Sequence, residues 1–549
     1  MPITQSILDV ARRHPDRVAI AGEGGRLSYA ELVEDSRRVF SVVDALHRAQ
    51  HAVRDTAFGT RATAAPATLS DTVSAAEPAA APEPAPETRG IPITAVSIDS
   101  AFHTSRIIAG LAGYRAVSAT IDPRWPLEHR VNVIVTTGIG VVVSDADDLA
   151  PALRERGWGG TIISLAEFRA AEEGVGDPDR PLAPPPTVRD GDEAFLLLFS
   201  SGTTSAPKGF LKTRDQYRAN VAVSSAYLEP LPGVHTLAPG PVSYSLTLYA
   251  LIECLATGGA AHMADAFDAI EMARRVSEER ITRVVAVPAL VQSLSDAARR
   301  DPSRFGSLEL VVTGGANLSA SLRAGLASVL PDVRLIGYYG AAEIGFIGDS
   351  RGGDGTLIEV YDGIGFEIRS GSGERLPDGE FGTLWIDAAA CSDGYLAGTT
   401  DAVLRGDDGW ATVHDQGRVV DGKLQLAGRA GDIVVTGGHK VALPEVERAF
   451  EGMPELGAGA GVGAGAAAVC AIALPHPRLG SVVALVIEGG ADGPVPGKDA
   501  MRAWARERLA PQFVPRQWYR IDALPRTVGG KIRRAETVAL IESGEGERL

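Results

Sequence analysis

The chain has 549 residues and a mass of 57.3 kDa, with 53 Lys+Arg against 69 Asp+Glu and a formal net charge of −16. Its length predicts two to four domains at ~100–200 residues each. The acidic balance argues against a nucleic-acid partner, because it repels phosphate backbones. The three cysteines, Cys254, Cys391 and Cys470, show no CxxC spacing, which argues against a disulfide scaffold or zinc module.

In chain order, Met1–Val10 carries no basic stretch followed by an apolar run, so no secretory signal is expected. Residues 3–50 read as helix, turn, helix, with Ser28 and Glu31 as a capping box opening a helix over Tyr29–Ala49. From Ala57 to Gly90, 16 of 34 residues are Ala or Pro and Phe58 is the sole aromatic. That composition has little to bury and predicts a disordered insertion in a surface loop. Apolar stretches such as Val131–Val143 are interrupted by Asn, Thr and Gly, well short of the ~18 residues of a membrane span. A cytoplasmic protein without a membrane span is expected.

Residues 91–430 alternate β-rich runs with helical ones. Ordered sequence resumes at Ile91, with ITAVSI as the first strand candidate, and further candidates lie at 141–144, 161–165, 194–200, 283–287 and 308–314. Helix candidates include Arg214–Tyr227, Ala266–Glu279, Pro288–Arg300 and Ser319–Val329. This alternation predicts an α/β fold of βαβ units with mostly parallel sheets. After Arg429 come a strand (IVVTGG), a helix (Pro444–Phe450), a strand (VVALVIE), a helix (Lys498–Leu509) and a basic segment. The expected organisation is a large domain over 1–430 and a small, mobile α+β domain over 431–549. Residues 457–468, GAGAGVGAGAAA, read as a second low-complexity loop, and there is no internal repeat.

The most informative segment is FLLLFSSGTTSAPKGF, 195–210. A buried strand ends at Ser200, and Ser201, Gly202, Thr203 and Thr204 follow, with Lys208 beyond Pro207. Small hydroxyl residues around a glycine offer backbone N–H and side-chain O–H donors together, as polyphosphate oxygens require. The segment is not an NTPase P-loop, which needs Gly before the Lys and Ser or Thr after it; Pro207 and Gly209 stand there. The G-x-G-x-x-A at Gly459–Ala464 lies in an Ala/Gly tract with no preceding strand, so a dinucleotide site is not expected there.

SSGTTSAPKG resembles the phosphate-binding signature of the AMP-forming adenylating superfamily, which includes acyl-CoA synthetases, nonribosomal peptide synthetase adenylation domains and luciferases. Other segments follow in the family's order. GYYGAAEIG (337–345) is similar to its second signature, which implies Tyr339 near the adenine and Glu343 as the Mg²⁺-supporting carboxylate. GDDGWATVHDQGRV (406–419) resembles the segment whose aspartate, here Asp415, holds the ribose hydroxyls; a metal role for His414–Asp415 is the weaker alternative. GRAGDIVVTGGHKVALPEVE (428–447) resembles the hinge signature, implying Arg429 at the nucleotide, Asp432 as pivot, and Gly437 and Gly438 along a thiol tunnel. LPRTVGGKIRR (524–534) resembles the segment that ends in the catalytic lysine, here Lys531. GYRAVSATIDPRWPLEHR (113–130) is similar to an upstream family segment.

Two departures stand out: Ser205 where relatives usually have Gly, and Ala342 where most carry a Thr that contacts the α-phosphate. The resemblance implies ATP, Mg²⁺ and a pantetheine thiol, either coenzyme A or the phosphopantetheine of a carrier protein. The acid-facing stretch is PGPVSYSLTLYALIECLATGG (239–259), with Tyr244 as a candidate pocket residue and Gly314, Gly315 and Ala316 as the adjacent wall. It lacks the Asp that binds the α-ammonium in amino-acid-activating relatives, which favours a fatty or aryl acid; Glu253 would reverse this if it turned inward. The chain's end at Leu549, with no G-x-D-S-L carrier motif, predicts a stand-alone enzyme. Two alternatives are a stand-alone enzyme loading a carrier protein and a degenerate nucleotide-binding relative.

Overall fold

The computed structural model describes the backbone of residues 2–59, 90–178, 180–200, 207–315, 318–353, 355–436, 439–457, 467–477, 479–489, 496–511, 513–527 and 531–549. Three sheets organise it. One has six strands in the order Thr161–Ile163, Val141–Ser144, Ile93–Ser97, Val117–Thr120, Ala194–Ser200 and Lys208–Thr213. Its first five strands run parallel and the last turns back antiparallel on Ala194–Ser200. Val141–Ser144 and Ile93–Ser97 are buried at every position, which is why they read as largely apolar runs without alternation.

A second, thirteen-stranded sheet divides in character. From Val18–Gly22 through Ala260–Met263, His235–Ala238, Arg283–Ala286 and Leu310–Thr313 to Arg334–Ala341, neighbours pair in parallel. Beyond Arg334–Ala341 every pairing is antiparallel. The expectation of mostly parallel sheets fails here because, among the described residues, no helix lies between these strands: most are joined by short turns, and the long connection from Asp387 to Asp415 contains none. Asp421 and Gly422, alone between Val420 and Lys423, have φ of 49° and 75°. Positive φ at both central residues matches a type I′ hairpin turn, which suits Asp-Gly. The third sheet is built entirely from strands within residues 433–548.

Helix boundaries follow local chemistry. Arg214–Tyr227 opens on a capping box between Thr213 and Gln216, and Pro288–Arg300 starts with proline in its first turn. Ser28 and Glu31 exchange the reciprocal bonds expected of them: Ser28 N donates to Glu31 Oε2 at 2.7 Å and Glu31 N to Ser28 Oγ at 3.2 Å. The helix they open runs to Gly59, overlapping the expected 57–90 insertion; residues 60–89 lie outside the described residues. The helix–turn–helix reading of 3–50 needs correction, because strands Val18–Gly22 and Gly25–Ser28 form a hairpin between the helices. In the third sheet, strand Val469–His476 pairs with Gly480–Glu488 along its whole length. Of the 457–468 tract, Gly457 ends a short helix and 458–466 lie outside the described residues. No helix among the described residues is long and apolar enough to cross a membrane. All three cysteines are free and buried.

Candidate active site

The site is built at the carboxyl ends of parallel strands, where open α/β sheets leave a crevice for ligands. Ala194–Ser200 ends at Ser200, which pairs across the hairpin with Lys208. Ser201, Gly202, Thr203, Thr204 and the departure Ser205 lie outside the described residues, so Ser200 and Lys208 mark the two feet of that loop. The Lys208 ammonium stands 5.3 Å from the centre of the Tyr395 ring.

Leu310–Thr313 is followed by Gly314 and Gly315. A Cβ on Gly314 would come within 2.4 Å of the Tyr338 ring, and Gly315 has φ +80°, so both need glycine. Ala316 lies outside the described residues, as do Gly437 and Gly438.

Arg334–Ala341 leads into the tight connection that carries Glu343, a buried residue. Its carboxylate Oε1 accepts the Tyr395 hydroxyl at 2.8 Å. The Glu343 carbonyl accepts Ser392 N at 2.8 Å and the Lys212 ammonium at 2.7 Å. Ala342, which lacks a side-chain donor, has its carbonyl held by the Tyr249 hydroxyl at 3.0 Å. The site therefore gains Tyr395, Lys212 and Tyr249, which no sequence motif marks. Lys212 is fully buried, and burial pulls its pKa down to about 8.

Asp415 opens strand Asp415–Val420 after His414, whose φ of 63° turns the chain. Asp415 pairs across strands with Arg429, and the Arg429 Nε lies 3.5 Å from Oδ1. The Tyr339 hydroxyl donates to Asp415 Oδ2 at 2.6 Å. Tyr339 is thus tied at its tip to the residue expected to hold the ribose. Burial raises the Asp415 pKa, opposed by Arg429, Tyr339 and Lys531.

The C-terminal segment adds Asp432, Lys531 and Arg534. Asp432 lies in the turn Ala430–Asp432; its Oδ2 accepts Arg429 N at 3.2 Å and its Oδ1 accepts Arg534 Nε at 2.7 Å. Arg534 also pairs with Glu447 at 2.5 Å. Lys531 donates its backbone N–H to Thr527 Oγ1 at 3.1 Å, while its carbonyl accepts Thr527 N at 2.7 Å. The Lys531 residue is exposed to solvent. Desolvation by the surrounding protein and then the Arg429 charge lower its pKa, with Asp432 and Asp415 opposing. Lys531, Arg429, Asp415 and Asp432 therefore share one electrostatic neighbourhood.

Tyr244 stands at the N-cap position of helix Ser245–Thr257, in the electrostatic neighbourhood of Asp122, the aspartate of the upstream IDPRWP segment. Burial and the Asp122 charge push its pKa up to about 12. It is half-buried rather than a core aromatic. Glu253, the residue able to reverse the substrate reading, is buried in an ion pair with Arg283 at 3.1 Å. Burial raises its pKa against the pull of Arg283.

The family model for the AMP-binding enzyme matches residues 104–396, and that for the AMP-binding enzyme C-terminal domain matches 464–531. The chain belongs to the AMP-binding enzyme family and is, in class, an AMP-forming ligase. It is 26% identical over 455 residues to an uncharacterised acyl–CoA ligase, YhfT, of Bacillus subtilis, covering 82% of this chain and 88% of that one. It is 29% identical over 395 residues to a feruloyl-CoA synthase of an Amycolatopsis species, covering 68% of this chain and 76% of the other. The solved structure of ATP-bound MatB from Rhodopseudomonas palustris superposes with a TM-score of 0.76 at 20% identity, covering 98% of each chain. That last likeness concerns the fold.

Proposed function

We propose that the protein uses ATP to convert a carboxylic acid without an α-ammonium, of fatty or aryl type, into an acyl-adenylate and then a thioester of coenzyme A. The carrying observation is the shared neighbourhood of Asp415, Arg429, Asp432 and Lys531 beside Glu343, drawn from four separate motifs. The domain division at 430 and 431 fits it, with Asp432 as the pivot.

The acid's carboxylate oxygen attacks the α-phosphorus of ATP; an O–P bond forms as the bond to the bridging oxygen breaks, and pyrophosphate leaves. Charge gathers on phosphoryl oxygens, so fixed donors there lower the barrier. Ser200 to Thr204 and Lys208 serve the phosphates. Asp415 accepts the ribose hydroxyls, Tyr339 lies by the adenine, and Arg429 reaches the nucleotide. Lys531 bridges both reactants with its ammonium. One well-held carboxylate suits Mg²⁺, which takes one or two protein carboxylates plus phosphates and water; Glu343 would hold it, and the ion supplies charge stabilisation.

In the second half-reaction the thiol sulfur attacks the acyl carbonyl, its proton goes to solvent, and AMP leaves. Rotation about Asp432 withdraws Lys531 and opens the tunnel bordered by Gly437 and Gly438. Tyr244, Gly314, Gly315 and Ala316 bound the acid. Because Glu253 is committed to Arg283, nothing in 239–259 offers a free carboxylate to an ammonium. Burying an unpaired ammonium costs several kcal/mol, enough to disfavour an α-amino acid by ~10³-fold. ATP and coenzyme A as co-substrates suit a cytoplasmic enzyme.

The test pairs a fatty or aryl acid with its α-amino analogue, each offered coenzyme A and a phosphopantetheinylated carrier protein. Product from the plain acid on coenzyme A is expected. Preference for the amino acid contradicts the substrate class, and product on carrier protein alone contradicts the acceptor.

A further inference from the structure

Lys212 is a buried charge that the reaction as described does not use. It lies in strand Lys208–Thr213 directly after the buried Phe210 and Leu211, where an apolar residue would pack without desolvating a charge. Neither of its hydrogen-bond partners is a carboxylate. Its ammonium donates to the Glu343 carbonyl at 2.7 Å and to the Ala390 carbonyl at 2.6 Å.

Those contacts join three pieces of the site. The first is the hairpin itself, because Lys212 stands four residues beyond Lys208 and opposite Leu196. The second is the Glu343 connection. The third is the 390–395 segment, which returns to Glu343 at its far end: Ser392 N reaches the carbonyl and the Tyr395 hydroxyl the carboxylate. Arg405 clamps the same segment from outside, donating to the Ser392 and Cys391 carbonyls at 2.9 Å each. Glu343 is thus fixed at its backbone by Lys212 and at its carboxylate by the segment Lys212 also holds.

We propose that Lys212 is a positioning residue: by bridging Glu343 and Ala390 it sets the Glu343 carboxylate relative to the phosphate-loop hairpin, and so sets affinity for Mg²⁺·ATP over ATP alone. This rests on the reading of Glu343 as the Mg²⁺-side carboxylate. Lys212 touches neither nucleotide nor ion in this account and acts through Glu343.

The test is calorimetric binding of ATP to the full chain, with Mg²⁺ and with EDTA, for wild type, Lys212→Met and Glu343→Gln. Lys212→Met keeps most of the unbranched apolar stem and removes its donors. It is expected to weaken Mg²⁺·ATP binding about tenfold, the size of a lost hydrogen bond to a charged group, while ATP in EDTA changes less than about twofold. Equal weakening in both conditions, or none in either, overturns the proposal, since a merely structural lysine would not discriminate them. If Glu343→Gln discriminates and Lys212→Met does not, only this inference fails; if Glu343→Gln does not, the reading of Glu343 itself fails. Lys212→Gln, which keeps a donor, replaces the Met variant if that one does not fold. It should give a smaller loss of the same selectivity, and failure of both variants to fold assigns Lys212 to the core instead.

Discussion

The two halves of the site are built differently. Around Glu343 and Asp415 the functional groups sit at strand ends and are tied to one another. Tyr395 reaches Glu343 at 2.8 Å, Tyr339 reaches Asp415 at 2.6 Å, and Lys212 is buried beneath. Around Lys531 the residue is exposed, and its backbone is held to Thr527. What anchors that half is Arg534, three residues on, through Asp432 and Glu447. Under the proposed function, the contrast would separate a preorganised half, which costs no reorganisation at reaction, from a half that leaves once its step is complete.

The sharpest break of that contrast is Lys531→Ala. Adenylate formation should fall at least ~10²-fold, the scale of one removed electrostatic donor, with ATP binding little changed. Thioester formation from pre-made adenylate should survive, and stopped-flow or single-turnover measurement of each half-reaction separates the two. Equal loss in both would make Lys531 a general structural residue.

On the preorganised side, Asp415→Asn should raise KM for ATP about tenfold, the size of lost hydrogen bonds to a charged acceptor. Burial raises the Asp415 pKa, so its protonated form persists to higher pH than for an ordinary carboxylate. In wild type, KM for ATP should therefore climb as pH falls through that raised pKa, and the Asn variant should lose this limb.

Arg534→Met tests the anchor. Leaving Asp432 and Glu447 without their cation should cost about 1–3 kcal/mol, because the groups are only partly buried. Differential scanning calorimetry should show it as a lower melting temperature for the transition of the C-terminal sheet, with Mg²⁺·ATP affinity retained. The smallest effect belongs to deletion of residues 60–89, whose Ala/Pro-rich composition offers little to bury and which should leave kcat within about twofold. An insoluble or inactive deletion protein would show that the segment docks on something.

What the sequence made legible of the candidate site is where its signature residues sit locally: Asp415 and Arg429, from two separate signatures, stand opposite each other across paired strands. What escaped was the support beneath. Tyr395 meets Glu343 across 52 positions and Lys212 meets it across 131, so no local pattern marks either. The hairpin Val18–Ser28 escaped because its strands have only five and four residues and the second has no buried position. The antiparallel half of the large sheet was foreshadowed only in turns such as Asp421–Gly422, whose meaning depends on the strands they join.

The central claim is met most directly by ATP–pyrophosphate exchange with the wild-type protein across fatty, aryl and α-amino acids. The account predicts exchange that depends on a fatty or aryl acid and on Mg²⁺, and that is weaker by ~10³-fold for the matched α-amino acid, whose ammonium finds no free carboxylate. Exchange driven best by an α-amino acid, or no exchange with any acid while ATP still binds, would contradict it.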